Sequence, residues 1–245
     1  DLSFGKYRLN ASFRNIGRAD NDEKCFTFCL RLASKENKIE KDSFFWDERA
    51  KKIILTALKK RKSIVIGGIT SSGKTELQRY LVNKLEENTR VICIDNVEEL
   101  SFKNNKDGLD LTVWHEDERS DKSSYRSLVR NALRNNPDYI IVSESRGKEM
   151  LDVLNSVMSG HPIITTIHVL DIESIPYRMG RLAMQADNNL LFEELLKDIT
   201  YHFDYAICLK KLVKKGNKIR RYVESIGKFN AKTYDIDVIY RRKER

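Results

Sequence analysis

The stretch Ser63-Ile64-Val65-Ile66-Gly67-Gly68-Ile69-Thr70-Ser71-Ser72-Gly73-Lys74-Thr75 decides the fold. Its apolar start is a short buried strand that stops at two glycines. After Lys74, residues Leu77, Leu81 and Leu85 share one helical stripe. Between strand and helix, Gly68 to Thr75 fits G-x4-G-K-[ST]. Glycines let backbone N–H groups converge on phosphate oxygens, and the helix start adds a positive dipole end. The spacing predicts that Gly68, Ile69, Thr70, Ser71, Ser72 and Gly73 cradle a triphosphate. Lys74 then reaches its β- and γ-phosphates, and Thr75 offers a hydroxyl to Mg²⁺. The rival reading is a chance glycine-rich turn, against which the flanking strand and amphipathic helix argue.

Outward from this loop the pattern repeats. Arg90-Val91-Ile92-Cys93-Ile94, Tyr139-Ile140-Ile141-Val142 and Ile163-Ile164-Thr165-Thr166-Ile167 read as buried strands. Helical periodicity covers 123–135, closed by Pro137, and 147–159, with Met150, Leu151, Leu154, Val157 and Met158 inward. Before the loop, a helix starts at Asp47, through Ile53, Ile54, Ala57 and Leu58. Such alternation predicts an α/β layer with a mainly parallel sheet. Residues 187–200 read as a further helix. Tyr205 to Val213 and Ile219 to Phe229 read as a hairpin around Gly216-Asn217, with one more strand from Tyr234 to Tyr240.

The 245 residues are 40% hydrophobic and 33% charged, ordinary for a globular chain and unlike a disordered one. No apolar run approaches the roughly 20 residues of a membrane span. No signal peptide is legible, and Asp1 in first place reads as a processed, trimmed or excised chain. Cys25, Cys29, Cys93 and Cys208 form no CxxC pair and have no histidine at metal-ligand spacing, so buried free thiols are expected. The formal charge of +9 invites a nucleic-acid or anionic-membrane partner, but residues 210–245 alone hold 13 Lys+Arg against 4 Asp+Glu. The remainder sums to zero, so the charge belongs to the C-terminal hairpin and tail.

Hydrolysis needs carboxylates near the phosphates. Glu144 follows the strand 139–142 and Glu99 follows the strand 90–94, the strand ends where such folds present side chains. They are the candidate hydrolytic pair; either one could instead be a solvated loop residue.

With these residues in place, the chain resembles the secretion (traffic) ATPases of type IV secretion, type II secretion and type IV pilus machines. The family's phosphate loop matches Gly67 to Thr75. Its acidic "Asp box" matches Ile94-Asp95-Asn96-Val97-Glu98-Glu99-Leu100. Its Walker B region matches Ala132 through Gly147, and its "His box" matches Ser159-Gly160-His161-Pro162 through Thr165-Thr166-Ile167-His168. The run Glu144-Ser145-Arg146-Gly147-Lys148-Glu149 looks nearest to the conjugation and tight-adherence pilus branch. The resemblance implies a RecA-like P-loop NTPase core and a catalytic set of Lys74, Glu99, Glu144 and His168. Glu99 would polarise water, Glu144 would act through the Mg²⁺ shell with Thr75, and His168 would sense the γ-phosphate. Arg178 matches a basic position beyond the His box, Arg130 and Arg134 match basic positions on the preceding helix, and His161 either takes part or caps its turn. Gly5 to Ala11 and Phe28 to Arg31 look like the last strands of the family's N-terminal domain, which makes Arg31 a candidate phosphate contact.

Some positions depart from the family. Asp95-Asn96 replace Glu-Asp, Ser71 and Ser143 each replace a glycine, and Leu170 replaces an asparagine. The arginine between the Asp box and Walker B has only His115 and Arg119 as nearest candidates. These changes leave Lys74, Thr75, Glu99, Glu144 and His168 intact, so activity is expected, fast or slow.

The resulting division is 1–41 as the remnant of an N-terminal domain, 42–62 as a linker helix, and 63–245 as the ATPase domain with a basic C-terminal β-hairpin extension from about 205. The resemblance implies an ATP- and Mg²⁺-dependent motor subunit of a homo-hexamer, on the cytoplasmic face of a membrane beside an inner-membrane platform protein. The basic tail is expected either to be solvated or to meet that partner or an anionic membrane surface. Alternatives are a nucleic-acid translocase on the same core, a nucleotide-holding structural subunit, and a small-molecule kinase, which lacks an acceptor site.

Overall fold

The computed structural model describes residues 2–4, 7–12, 27–32, 39–95, 100, 108–117, 120, 123–187, 189–214 and 218–243. The chain divides into two units, Asp1–Asn37 and Lys38–Arg245. In the first, β1 (Leu2–Phe4), β2 (Tyr7–Ser12) and β3 (Thr27–Leu32) form an antiparallel sheet in that order, with Arg8 opposite Arg31. Cys29 is an exposed free thiol on β3, and Cys25 lies outside the described residues.

The second unit is built on eight strands. These are β4 (Ile64–Gly68), β5 (Arg90–Asp95), β6 (Asp110–His115), β7 (Tyr139–Val142), β8 (Ile163–Ile167), β9 (Tyr205–Lys214), β10 (Lys218–Asn230) and β11 (Asp235–Arg241). Their spatial order is β11-β10-β9-β4-β8-β7-β5-β6. From β9 to β6 every neighbouring pair is parallel, while β10 and β11 return antiparallel. The central strands β4, β7 and β8 are buried at every position, which is why they read as unbroken apolar runs.

Successive strand side chains face opposite ways, so odd and even positions feed two separate cores. Val65, Ile92, Ile94, Ile140 and Val142 pack with α3 (Tyr125–Arg134), α4 (Glu149–Met158), α5 (Ile175–Ala183) and α6 (Phe192–His202), through Val129, Leu154, Met179 and Ile199. On the other face, Ile64, Ile66, Val91, Cys93, Tyr139 and Ile141 meet α1 (Glu48–Lys59) and α2 (Lys74–Asn83), through Ile54, Leu58, Leu77 and Leu81. The helix expected over 42–62 is α1, whose Ala50, Ile54, Ala57 and Leu58 are buried in this core. Burial pushes the Cys93 thiol up, and that of Cys208 to about 12, so both are inert.

Strand β6 and helix α5 go beyond the sequence expectations. Strand β6 has half-exposed, alternating positions at the sheet edge. Helix α5 is short, with Pro176 in its first turn and Gly180 inside it, which hides its periodicity. The C-terminal hairpin follows as expected, but its first strand is no appendage. Residues Ala206, Ile207, Cys208 and Leu209 are buried and pair in parallel with β4, directly beside the phosphate-binding loop. Among the described residues no helix is long and apolar enough to cross a membrane.

Asp47 closes the second core at two points. Its Oδ1 accepts the N–H of Ala50 at 2.8 Å, capping α1, and its Oδ2 accepts the Tyr240 hydroxyl of β11 at 2.9 Å. Asp47→Ala should cost about 1–2 kcal/mol in urea denaturation, and Asp47→Asn, which keeps the cap, should cost less. Equal losses would show that the cap is not what Asp47 contributes.

Candidate functional site

Because the parallel strands run the same way, β4, β5, β7 and β8 end at one edge of the sheet, at Gly68, Asp95, Val142 and Ile167, with Leu209 of β9 paired opposite Gly68. That edge is where ligands bind in open α/β sheets. Gly68 leaves β4 with φ +153°, and a Cβ there would lie 2.5 Å from Ser72 Oγ and 2.6 Å from the Leu209 carbonyl oxygen. Gly73 takes the left-handed conformation, φ +99°, and starts α2 as its N-cap. The loop can therefore fold this tightly only with glycine at both ends. Ser71 also has a positive φ, 62°.

Lys74, in the first turn of α2, is buried. Its Nζ donates to the carbonyl oxygens of Gly68 at 3.0 Å and Ile69 at 3.3 Å, and lies 3.3 Å from Nδ1 of His168. His168 follows β8, and its Nε2 is 2.7 Å from Glu144 Oε1. Glu144 follows β7, is buried, and takes a guanidinium hydrogen bond from Arg146 on Oε2 at 2.8 Å. An ammonium only donates and a carboxylate only accepts. The neutral imidazole with its proton on Nε2 accepts from Lys74 on Nδ1 and turns its N–H side toward Glu144, where the 2.7 Å approach is a close polar contact rather than an aligned hydrogen bond.

The electrostatics agree with that tautomer. Burial and the Lys74 ammonium hold the His168 ring below its ordinary value, outweighing the pull of Glu144. Burial pushes the Glu144 carboxyl up, but the Arg146 hydrogen bond and charge, with His168 and Lys74, bring it net below its ordinary value. Glu144 is thus an ionised acceptor rather than a proton-hungry base. Both groups favour the folded state when His168 is neutral and Glu144 ionised. Their contribution is complete above about pH 6.5 and is lost as pH falls, first through the His168 range and then through that of Glu144.

Supporting groups hold these carriers in place. Gln78 of α2 donates through Nε2 to the carbonyls of Val142 at 2.7 Å and Ile164 at 3.0 Å, pinning the helix to the strands that present Glu144 and His168. Thr166 Oγ1 donates to the Ser143 carbonyl at 2.8 Å, and Ser145 Oγ meets Thr165 Oγ1 at 3.0 Å. Asp95 is buried at the end of β5 and accepts the Leu100 N–H at 2.7 Å, tying the two ends of the Asp box. Glu99 lies outside the described residues, as does Arg119. Thr75 is half-buried beside Lys74.

The remaining candidates are dispersed. Arg178 is exposed on α5 and lines an open groove of 520 Å³ with His168, Leu170, Tyr177 and Arg181. Its charge reaches the His168 ring as the smallest of the influences on it. Arg31 belongs to the N-terminal unit. Arg130 is exposed on α3, and Arg134 ends that helix just before β7 begins, at the opposite edge of the sheet. His161 sits at that opposite edge too, before β8, with Nδ1 3.1 Å from Ser159 Oγ. It caps its turn. Sequence reasoning missed Gln78 and Arg146 as site residues. Helical phase from Lys74 would have pointed to Gln78, one turn on, and Arg146 stands two residues from Glu144.

The residues fit a magnesium–nucleotide ligand. Ser72 Oγ is fully buried in the loop with no hydrogen-bond partner among the described residues. The Gly68 cradle would be filled by any Cβ. Among the described residues no cluster of three His, Cys, Asp or Glu side chains could hold a metal ion. A hydroxyl, a carboxylate and phosphate oxygens together are the ligand set Mg²⁺ prefers.

The tautomer carries a prediction. In nucleotide- and magnesium-free buffer, Lys74→Met should raise the His168 titration midpoint and Glu144→Gln should lower it, read by long-range ¹H–¹⁵N NMR. A midpoint indifferent to both substitutions would break the Lys74–His168–Glu144 chain.

Comparison with known proteins bears on the family and the fold. Residues 23–218 match the family model described as type II/IV secretion system protein. An uncharacterised protein of Bacillus anthracis is 27% identical over 238 residues, covering 93% of this chain and 51% of its own length. The type IV secretion system protein VirB11 of Bartonella quintana is 35% identical over 121 residues, 46% of this chain and 32% of that protein. This chain thus spans about half the length of the first relative and a third of the second. Among solved structures, the Legionella pneumophila ATPase DotB superposes with a TM-score of 0.67 at 20% identity, over 93% of this chain and 59% of that one. The likeness shows the same RecA-like α/β fold, and the match over 23–218 places this chain in the type II/IV secretion system protein family.

Proposed function

We propose that this chain hydrolyses ATP with Mg²⁺ as one subunit of a homo-hexameric ring that drives pilus assembly or export through a membrane secretion machine. The observation that carries the reading is the chain Lys74–His168–Glu144, linked at 3.3 and 2.7 Å beside the glycine loop. Backbone N–H groups from Ile69 to Gly73, with the Ser72 hydroxyl and Lys74, would hold the phosphates. Thr75 and Glu144 would hold Mg²⁺, which neutralises phosphate charge when bound.

His168 is placed to report occupancy. It shares the Lys74 ammonium with the loop carbonyls, so a phosphate oxygen that takes a Lys74 hydrogen frees Nδ1 for a new partner. Glu144, held ionised by Arg146, orients rather than deprotonates, which leaves Glu99 as the carboxylate for the attacking water. Asp95, although it replaces a glutamate, is buried and binds Leu100. That anchoring favours hydrolysis over a purely structural use of nucleotide. Arg178 is assigned to the subunit contact or the γ-phosphate. The basic strands β9–β11 support peripheral attachment at the cytoplasmic face, to an inner-membrane platform protein or an anionic surface.

Steady-state phosphate release tests the reading. Wild type should turn over ATP in Mg²⁺, while Lys74→Ala and Glu144→Gln should each lose about 100-fold or more. Equal rates for wild type and Glu144→Gln would remove Glu144 from the mechanism, and no release from any of the three would leave a nucleotide-binding protein without hydrolysis. Stimulation by DNA that disappears at high salt would favour the translocase.

A further inference from the structure

The phosphate-binding loop is gripped from outside by a residue that no motif contains. Arg221 stands on β10, opposite Lys211 of β9, past the point where β9 leaves its pairing with β4 at Leu209. Its Nε–H donates to the Ser71 carbonyl oxygen at 2.8 Å, across 150 residues of sequence. Its Cδ would lie 3.3 Å from a Cβ built on Gly73, so its stem covers the loop's other end. Ser71 is a non-glycine residue at φ 62°, a conformation that L side chains rarely adopt. Among the described residues that one carbonyl is the guanidinium's only hydrogen-bond partner.

The strand that carries Arg221 is itself held. The Val223 N–H donates to the Phe45 carbonyl at 2.7 Å. On the opposite face of β10, the Phe44 ring is flanked by the guanidinium carbons of Arg220 at 5.0 Å and Arg242 at 4.5 Å. Tyr222 stands 5.9 Å from Phe44, edge to face, and 5.0 Å from Arg242. These contacts fix the backbone on both sides of Arg221. A charge-assisted hydrogen bond from a fixed strand is strong enough to set the conformation of a short loop.

We propose that Arg221 is a positioning residue that holds the phosphate loop in its left-handed turn at Ser71 and thereby ties the loop to the β9–β10 hairpin. Arg221 and Ser71 then form one device: where a glycine would adopt the turn at no cost, serine needs the clamp. The consequence for nucleotide affinity rests on the function proposed above, but the clamp does not.

Hydrogen exchange of the full chain, without nucleotide, tests the clamp on the peptide covering residues 69–75. Arg221→Ala should exchange there about 10-fold faster than wild type, the worth of a charge-assisted hydrogen bond. Arg221→Lys, which keeps the charge and stem but lacks Nε–H, should also exchange faster and guards against misfolding of the alanine variant. In a Ser71→Gly background the effect of Arg221→Ala should shrink to about 3-fold or less, because glycine holds a positive φ without strain. Wild-type exchange in both Arg221 variants, or the same acceleration in both backgrounds, overturns the proposal. Calorimetry with ADP adds the link to binding: Arg221→Ala should bind about 10-fold more weakly, and an unchanged Kd overturns that link. A wild type that binds no ADP defeats the proposed function alone, since the exchange is read without nucleotide.

Discussion

One buried ammonium organises this molecule. Lys74 is almost withdrawn from water, and an unpaired charge there would be very costly. The chain answers with oxygens from Gly68 and Ile69 and a nitrogen from His168. Two providers belong to the loop itself and the third follows β8, so the constraint reaches through the sheet. The loop must double back so that its carbonyls face its own lysine, which demands glycine at Gly68 and Gly73. Strand β8 must lie beside β4, so that His168 emerges next to the loop. Glu144 must follow β7, so that the imidazole has an acceptor on its far side.

The sheet meets those demands through order and register rather than local detail. Ile66 pairs with Thr166 and Val142 with Thr165, which levels the strand ends that carry Lys74, Glu144 and His168. Gln78 bridges the carbonyls of Val142 and Ile164, so α2 and the two carrier strands move as one piece. A site assembled this way has few soft parts. The carboxylate, the ring and the ammonium each have partners that fix their protonation as well as their position.

Much of this was legible in the sequence, for a physical reason. Strands buried on both faces must be apolar throughout, so β4, β5, β7 and β8 announce themselves, and a strand-glycine-loop-helix has few other uses. Lys74 is legible from the G-x4-G-K-[ST] loop, Glu144 from its place just after a buried strand, and His168 through the resemblance to the family's His box. What escaped is what local pattern does not encode. Strand β6 is half-exposed, and its Asp110-Leu111-Thr112-Val113 alternation resembles any amphipathic loop. Helix α5 is broken in pattern by Pro176 and Gly180. Arg134 and His161 read as site residues because they flank the right strands, but they stand at the strands' starting edge. No sequence window contains both Ser71 and Arg221, so that contact was invisible until β9 had been placed beside β4.

That placement also changes the meaning of the chain's charge. The surplus of +9 is carried by residues 210–245, which the sequence presents as a basic tail. In the fold this segment is three strands of the main sheet, with Val223, Ser225, Ile226, Ile236 and Tyr240 buried. Part of its charge is spent inside the protein. Arg241 of β11 pairs with Glu173, beyond the His box, and with Glu224 on β10, and Lys210 approaches Glu224 at 3.9 Å. Arg220 and Arg242 flank an aromatic ring. The Leu209 carbonyl meanwhile forms one wall of the Gly68 cradle. A hairpin that walls the phosphate loop, clamps it and reaches the loop after His168 cannot be displaced without disturbing the site. A displacement of β9 or β10 would therefore reach the same glycine loop, and the basic surface and the loop are mechanically one structure.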